Sequence, residues 1–207
     1  MDFNKENHLY EQDGVSYQSV SEWCEQFIKP FPAETIATAI SKKKCIDKQD
    51  ILDKWSMKAD FAVDYGNSVH KAIEYYIKYG EIPDHSHLEK VVKEFIKLNT
   101  YKKLISEVIV YDEKTKIAGT IDILVALGNK EVIIRDIKTN GDLHKEAKGK
   151  LLPPYDSLEA NSINKYTLQI SMYKKLAEAR GLKVVGTEIW YWGGSKFDII
   201  NIKTIEV

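Results

Sequence analysis

Three runs rich in isoleucine and valine follow one another with only short polar turns between them: Leu104–Tyr111, Ile117–Ala126 and Glu131–Lys138. Branched aliphatic runs of this length predict β-strands. Joins as short as these admit hairpins but no crossover helix, so the centre of the chain is expected to be an antiparallel meander. Helical periodicity precedes it. Val20, Trp23, Cys24 and Phe27 mark a helix within residues 15–30, closed by Pro30 and Pro32, and another is expected from about Ala33 to Ser41. A long one runs from Lys48 to Tyr79, where Gly80 and Pro83 stop it, and a fourth from His87 to Leu98. After a loop carrying Gly141, Gly149, Pro153 and Pro154, a helix is expected over 163–180, then strands over 184–192 and 197–202. This order predicts a mixed α/β (α+β) fold, a central mixed sheet with an antiparallel meander flanked by helices, rather than a βαβ repeat. Residues 1–207 are read as one domain, with 1–54 a helical N-terminal portion and 55–207 the core.

With 207 residues, 43% apolar and 29% charged, the chain can bury a core, which excludes wholesale disorder. No apolar run approaches the roughly 20 residues that cross a bilayer, so no membrane partner is expected. The opening MDFNKENHLYEQDG has neither an apolar h-region nor an Arg-rich amphipathic pattern. Cys24 and Cys45 make neither a disulfide framework nor a four-thiolate metal site, and a reducing, cytoplasmic setting is expected. Net charge is −1, but the cations are lopsided, 28 Lys against Arg135 and Arg180. Lysine meets phosphate as a point charge, whereas arginine is the usual reader of guanine edges. A DNA partner would therefore be held by its backbone with little sequence reading; codon bias in an AT-rich genome gives the same count.

Two carboxylates stand in the apolar strands. Asp122 interrupts KIAGTIDILVA, and in EVIIRDIKT the alternation puts Ile134, Asp136 and Lys138 on one face and Ile133, Arg135 and Ile137 on the other. A half-buried carboxylate is costly unless a cation, hydrogen bonds or a metal compensates it. Two on neighbouring strands could hold a hard cation such as Mg²⁺ or Mn²⁺. Equally, they could sit at strand ends and pair with Arg135 or Lys138. A shared cation also demands a register. A regular two-residue turn at Gly128-Asn129 would set Asp122 opposite Arg135 and send Asp136 to the other face, so an odd loop or a β-bulge is required.

Upstream, GNSVHKAIE puts His70 and Glu74 one helical turn apart, and downstream KYTLQISMYKKLAE does the same for Gln169 and Tyr173, with Lys165 a turn earlier. Taken singly, these read as a surface histidine and a solvated polar stripe. In order, the pieces match a known pattern: Gly-x-x-x-His from Gly66 to His70, Gly-x-x-Asp from Gly119 to Asp122, Asp-x-Lys from Asp136 to Lys138, and Gln-x-x-x-Tyr from Gln169 to Tyr173. The chain from about Trp55 to Trp192 resembles the RecB-like branch of the PD-(D/E)XK nuclease superfamily, closest in pattern to its stand-alone phage and mitochondrial genome-maintenance exonucleases.

The resemblance implies a restriction-endonuclease-like core and a metal-dependent exonuclease that hydrolyses DNA at single-stranded ends or flaps, in replication, recombination or repair. It implies Asp122, Asp136, His70 and the Ile137 carbonyl as ligands of Mg²⁺ or Mn²⁺, and Lys138 beside the reacting water and phosphate. Gln169 and Tyr173 would line the cleft, Glu107 would be a third acid, and Glu74 would orient His70. Members with an iron–sulfur cluster ligate it through four cysteines, so no cluster is expected here. The implied partner is DNA, single-stranded or with single-stranded ends and bound without sequence specificity, together with a recombination or replication protein, in a bacterial or phage-infected cell. Lys42–Lys44, Lys102–Lys103 and Lys145–Lys150 are candidates to track phosphates. Two other uses of the fold stay open: a structure-specific or nicking endonuclease, and a DNA-binding accessory subunit with little catalysis.

Overall fold

The computed structural model describes residues 2–4, 9–84, 86–99, 103–141, 143, 145–147 and 149–207. The meander is present: β4 (Lys103–Asp112), β5 (Ile117–Gly128) and β6 (Glu131–Lys138) pair antiparallel in sequence order. Helices α2 (Ala33–Lys44), α3 (Lys48–Tyr79), α4 (Ser86–Leu98) and α5 (Ser162–Ala179) lie where the periodicity predicts, and β7 (Lys183–Trp192) and β8 (Phe197–Asn201) follow. Local chemistry sets their ends. Asp47 accepts the Gln49 N–H to start α3, and Gly80 at φ 72° ends it. Asn161 caps α5 by accepting the Asn164 N–H.

Two features depart from the expectation. The N-terminal portion is not wholly helical: β1 (Asp2–Asn4), β2 (Leu9–Gln12) and β3 (Val15–Ser19) form a hairpin ribbon, and helix α1 is confined to Val20–Glu25. Tyr10 and Tyr17 are buried against Ala118, and this tertiary burial, not local periodicity, makes strands of the segment. Ser19 ends β3 and starts α1 through a reciprocal capping box with Glu22. In addition, β6 and β7 are parallel, joined through α5, so one βαβ crossover closes the sheet beside the meander.

The sheet separates two apolar layers. On one side α1 and α5 pack Val20, Cys24, Leu168, Met172 and Leu176 against Leu124, Val132 and Ile134. On the other, α3 and α4 pack Val69, Ile73, Val92 and Phe95 against Ile123, Ile137 and Trp190. The alternation expected for β6 is thus observed. Arg135, on the α4 side, is 1% exposed. It donates to Glu188 at 2.7 Å and to Asn99, and stacks 4.2 Å from the centre of the Trp190 ring. It is therefore not the partner of Asp122 or Asp136. Among the described residues no helix is long and apolar enough to cross a membrane.

Candidate functional site

One edge of β5 is occupied along its length by β4. Its other edge is divided: β3 pairs with Ile117 and Ala118, while β6 pairs from Ile123 onward. Between them the segment Gly119–Asp122 has no strand partner on that edge among the described residues, while β6, paired with β7 along its length, runs on past Arg135 without β5. The candidate residues gather at this parting of strands.

Asn129 and Lys130 make the hairpin turn, both at positive φ (48° and 63°), between the paired residues Gly128 and Glu131. By itself this turn would put Asp122 and Asp136 on opposite faces. Leu127 is bulged, however, and the ladder resumes with Ala126 opposite Val132 and Ile123 opposite Arg135. One residue beyond the last pair, alternation puts Asp122 and Asp136 on the face that carries Leu124 and Ile134. Of the two irregularities that a shared cation admits, an odd loop or a bulge, the structure has the bulge.

Contacts then chain the candidates together. Asp122 Oδ2 accepts the Ile137 N–H at 2.7 Å, and Asp122 Oδ1 lies 3.5 Å from His70 Nδ1 on α3. Lys138 Nζ is 2.7 Å from Asp136 Oδ2 and donates to Gln169 Oε1 at 3.1 Å. Gln169 in turn donates to the Tyr173 hydroxyl at 3.3 Å. The Lys138–Asp136 contact is an ion pair at angles outside a hydrogen bond, and Asp136 Oδ2 is buried with no directed donor. Of the two cations that the sequence offered, Lys138 pairs with Asp136, while Asp122 meets His70 and the Ile137 N–H.

Two glycines make the approach possible. A Cβ on Gly119 would sit 2.6 Å from Tyr173 Cε1 and 2.8 Å from Val20 Cγ2, so only glycine admits α1 and α5 so close to β5. A Cβ on Gly66 would meet Thr139 Oγ1 at 3.1 Å, where α3 crosses the end of β6 a turn before His70.

The charges respond to burial and to each other. Burial opposes ionisation of Asp122, but His70, Lys138 and the Ile137 N–H outweigh it and hold the carboxyl below its ordinary value. Burial pushes Asp136 up to about 6; Lys138 pulls it down and the Asp122 charge pushes it up. Lys138 is disfavoured as an ammonium by burial, yet Asp136 and Asp122 raise its pKa. Burial likewise works against the imidazolium of His70, and Asp122 overcomes it, so His70 titrates above its ordinary 6.5.

Glu107 lies between the pairs Ser106–Ile123 and Val108–Ile121 on β4, across from Asp122, half-buried and at φ 53°. Both acids push up the pKa of Tyr10, which burial raises first. Glu74 ion-pairs with Lys78, one turn on along α3. Lys42–Lys44, Lys103, Lys145 and Lys150 are exposed; Lys102 and Lys148 lie outside the described residues. Sequence reasoning missed Tyr166, whose ring centre is 4.7 Å from Lys138 Nζ. Its signal was the spacing Tyr166–Gln169–Tyr173, three and then four residues apart on one helical face.

Among the described residues, no three His, Cys, Asp or Glu side chains converge as a ready-made metal cluster. The donor chemistry nevertheless fits a hard divalent ion. Two carboxylates share a face, one has a buried oxygen without a directed donor, and an imidazole adjoins the other.

No protein-family model matches the chain, and no curated protein does. Among solved structures, SSO0001 aligns with 67% of this chain at 14% identity and a TM-score of 0.36, and the chain spans 65% of its length. A Eubacterium rectale protein described as "Putative exonuclease" aligns with 98% of this chain and 79% of its own, at 13% identity and a TM-score of 0.42. At such identities the residues of the site have to be read on their own chemistry.

Proposed function

We propose that this chain is a metal-dependent deoxyribonuclease with a restriction-endonuclease-like core, acting as an exonuclease on single-stranded DNA ends or flaps. The observation that carries this reading is the shared face of Asp122, Asp136 and Lys138, produced by the Leu127 bulge. Arg135, the other cation on β6, is committed to Glu188 on the far side of the sheet.

Asp122, Asp136, His70 and the Ile137 carbonyl would hold Mg²⁺ or Mn²⁺, which would take over charge now balanced by Lys138. When bound, the ion would supply a water nucleophile active near neutral pH and screen the phosphate. Lys138 stays protonated and offsets the negative charge that grows on the phosphoryl oxygens. Gln169 holds Lys138 from α5, and Tyr173, buried rather than lining a cleft, packs over Gly119. In the reaction a water oxygen bonds to phosphorus, the opposite P–O bond breaks, and the leaving oxygen takes up a proton. Exposed lysines would track the backbone without reading bases.

The test is digestion of end-labelled linear and circular single-stranded DNA with Mn²⁺, with Mg²⁺ and with EDTA. Shortening of the linear strand from an end, with the circle intact and no cleavage in EDTA, is expected. A cut circle would establish an endonuclease instead. DNA binding without cleavage in either metal would make the chain an accessory subunit.

A further inference from the structure

The Lys138 ammonium has a neighbour that the nuclease motifs do not include. Lysine carries its charge on a flexible four-carbon stem, so the strand alone does not fix where the ammonium sits. Among the described residues three groups meet it: Asp136 Oδ2 at 2.7 Å, Gln169 Oε1 at 3.1 Å and the Tyr166 ring, its centre 4.7 Å away. Gln169 Oε1 accepts one of its N–H groups, and Asp136 Oδ2 holds it by charge. The ring attracts the cation through the negative face of its quadrupole and needs no N–H aimed at an acceptor. The ring thus holds the ammonium without using up a donor that a substrate could take.

The ring is itself held. Tyr166 packs with Tyr191 against the buried cluster of Ile170, Ile189 and Ile202, and Tyr191 is the residue opposite Lys138 on β7. One turn of α5 presents both Tyr166 and Gln169 to the same ammonium, so a single rigid helix sets two of its three contacts.

We propose that Tyr166 is a positioning residue, whose ring face holds the Lys138 ammonium where it can meet the scissile phosphate. The catalytic part of this inference rests on the nuclease reading above; the contact itself does not.

The test compares Tyr166→Phe, which keeps the ring, with Tyr166→Leu, which keeps apolar bulk and loses it. Two readouts are taken on the full chain: the NMR shift of the Lys138 Hε protons without metal, and kcat and KM on single-stranded DNA with Mn²⁺. Ring current should move the Hε signals upfield in the wild type and in Tyr166→Phe, and the shift should vanish in Tyr166→Leu. In step, kcat should fall roughly tenfold in Tyr166→Leu with KM unchanged, and recover in Tyr166→Phe. If Tyr166→Leu keeps wild-type kcat, or if KM rises and kcat does not fall, the proposal is overturned. A Tyr166→Leu chain that melts more than a few degrees lower is replaced by Tyr166→Met under the same criteria. Wild-type chain that shows the ring shift but cleaves no DNA would overturn the nuclease reading and the catalytic role, with the contact standing.

Discussion

Asp122 and Asp136 stand on one face, one residue beyond the last pair of the β5–β6 ladder, because a single residue, Leu127, is bulged out of it. The turn at Asn129-Lys130 alone would set Asp122 opposite Ile137 and point Asp136 toward α3 and α4. Side chains alternate with period two, so one extra residue moves a whole strand's set between faces.

Deleting Leu127 should keep the site, because Ala126 and Gly128 then follow one another opposite Val132 and Glu131, and Leu127→Ala, at a position 51% exposed, should keep it too. An alanine inserted between Leu124 and Val125 would instead turn Asp122 away from the face of Asp136. We expect the insertion to abolish Mn²⁺ binding by calorimetry and to lower Tm by several degrees, with both Leu127 variants retaining the metal. Equal Mn²⁺ affinity in the insertion variant would refute the register requirement.

Gly119→Ala should destabilise the chain by about 1–3 kcal/mol, the usual cost of forcing atoms into a packed site. The new methyl would collide with Tyr173 and Val20. Urea unfolding measures the loss. A double variant with Tyr173→Leu should be less unstable than the two single losses added, because the clash partner is gone.

His70 should titrate above 6.5 in the metal-free chain, followed by NMR, and return toward or below 6.5 in Asp122→Asn, where burial is no longer opposed by a full charge. A raised folded-state pKa contributes stability that is complete below 6.5 and is lost as pH rises through the folded value. In EDTA, the Tm advantage of wild type over His70→Gln should accordingly be larger at pH 6 than at pH 8.5. Asp122, depressed below 3.8, stabilises the fold above that pH and ceases to as acid protonates it. Asp122→Asn should thus lower, not raise, metal-free stability near pH 6.

Lys138→Ala should cut DNA cleavage at least about 100-fold, on the scale of removing a group that stabilises transition-state charge. It should still bind Mn²⁺, because it is not proposed as a ligand. Asp122→Asn, Asp136→Asn and His70→Ala should each weaken Mn²⁺ binding at least roughly tenfold. Calorimetry separates the two classes, and undiminished affinity in His70→Ala would return that residue to the helix surface.

Cys24 and Cys45 should differ in reactivity. Burial pushes the Cys24 thiol up to about 12, while Cys45 is exposed after α2. A thiol reagent at pH 8 should count one cysteine in the native chain and two in denaturant.

The meander, the long helix α3 and the residue types at the site were determined by the sequence alone. Period-two runs of branched aliphatics, helical spacing and a stopping glycine act over a few residues, and their signals are local. The face on which each carboxylate stands was legible only as a condition, since parity required an irregularity but did not say where it lay. The tertiary structure decided that it is Leu127, and that Lys138 pairs with Asp136 while Arg135 goes to Glu188 across the sheet. It decided the N-terminal ribbon too, because Tyr10 and Tyr17 become strand residues by burial against Ala118, over a hundred positions away. Tyr166 reaches Lys138 for the same reason: the parallel closure of β6 on β7 lays α5 across the site, and no spacing within the chain encodes that crossing.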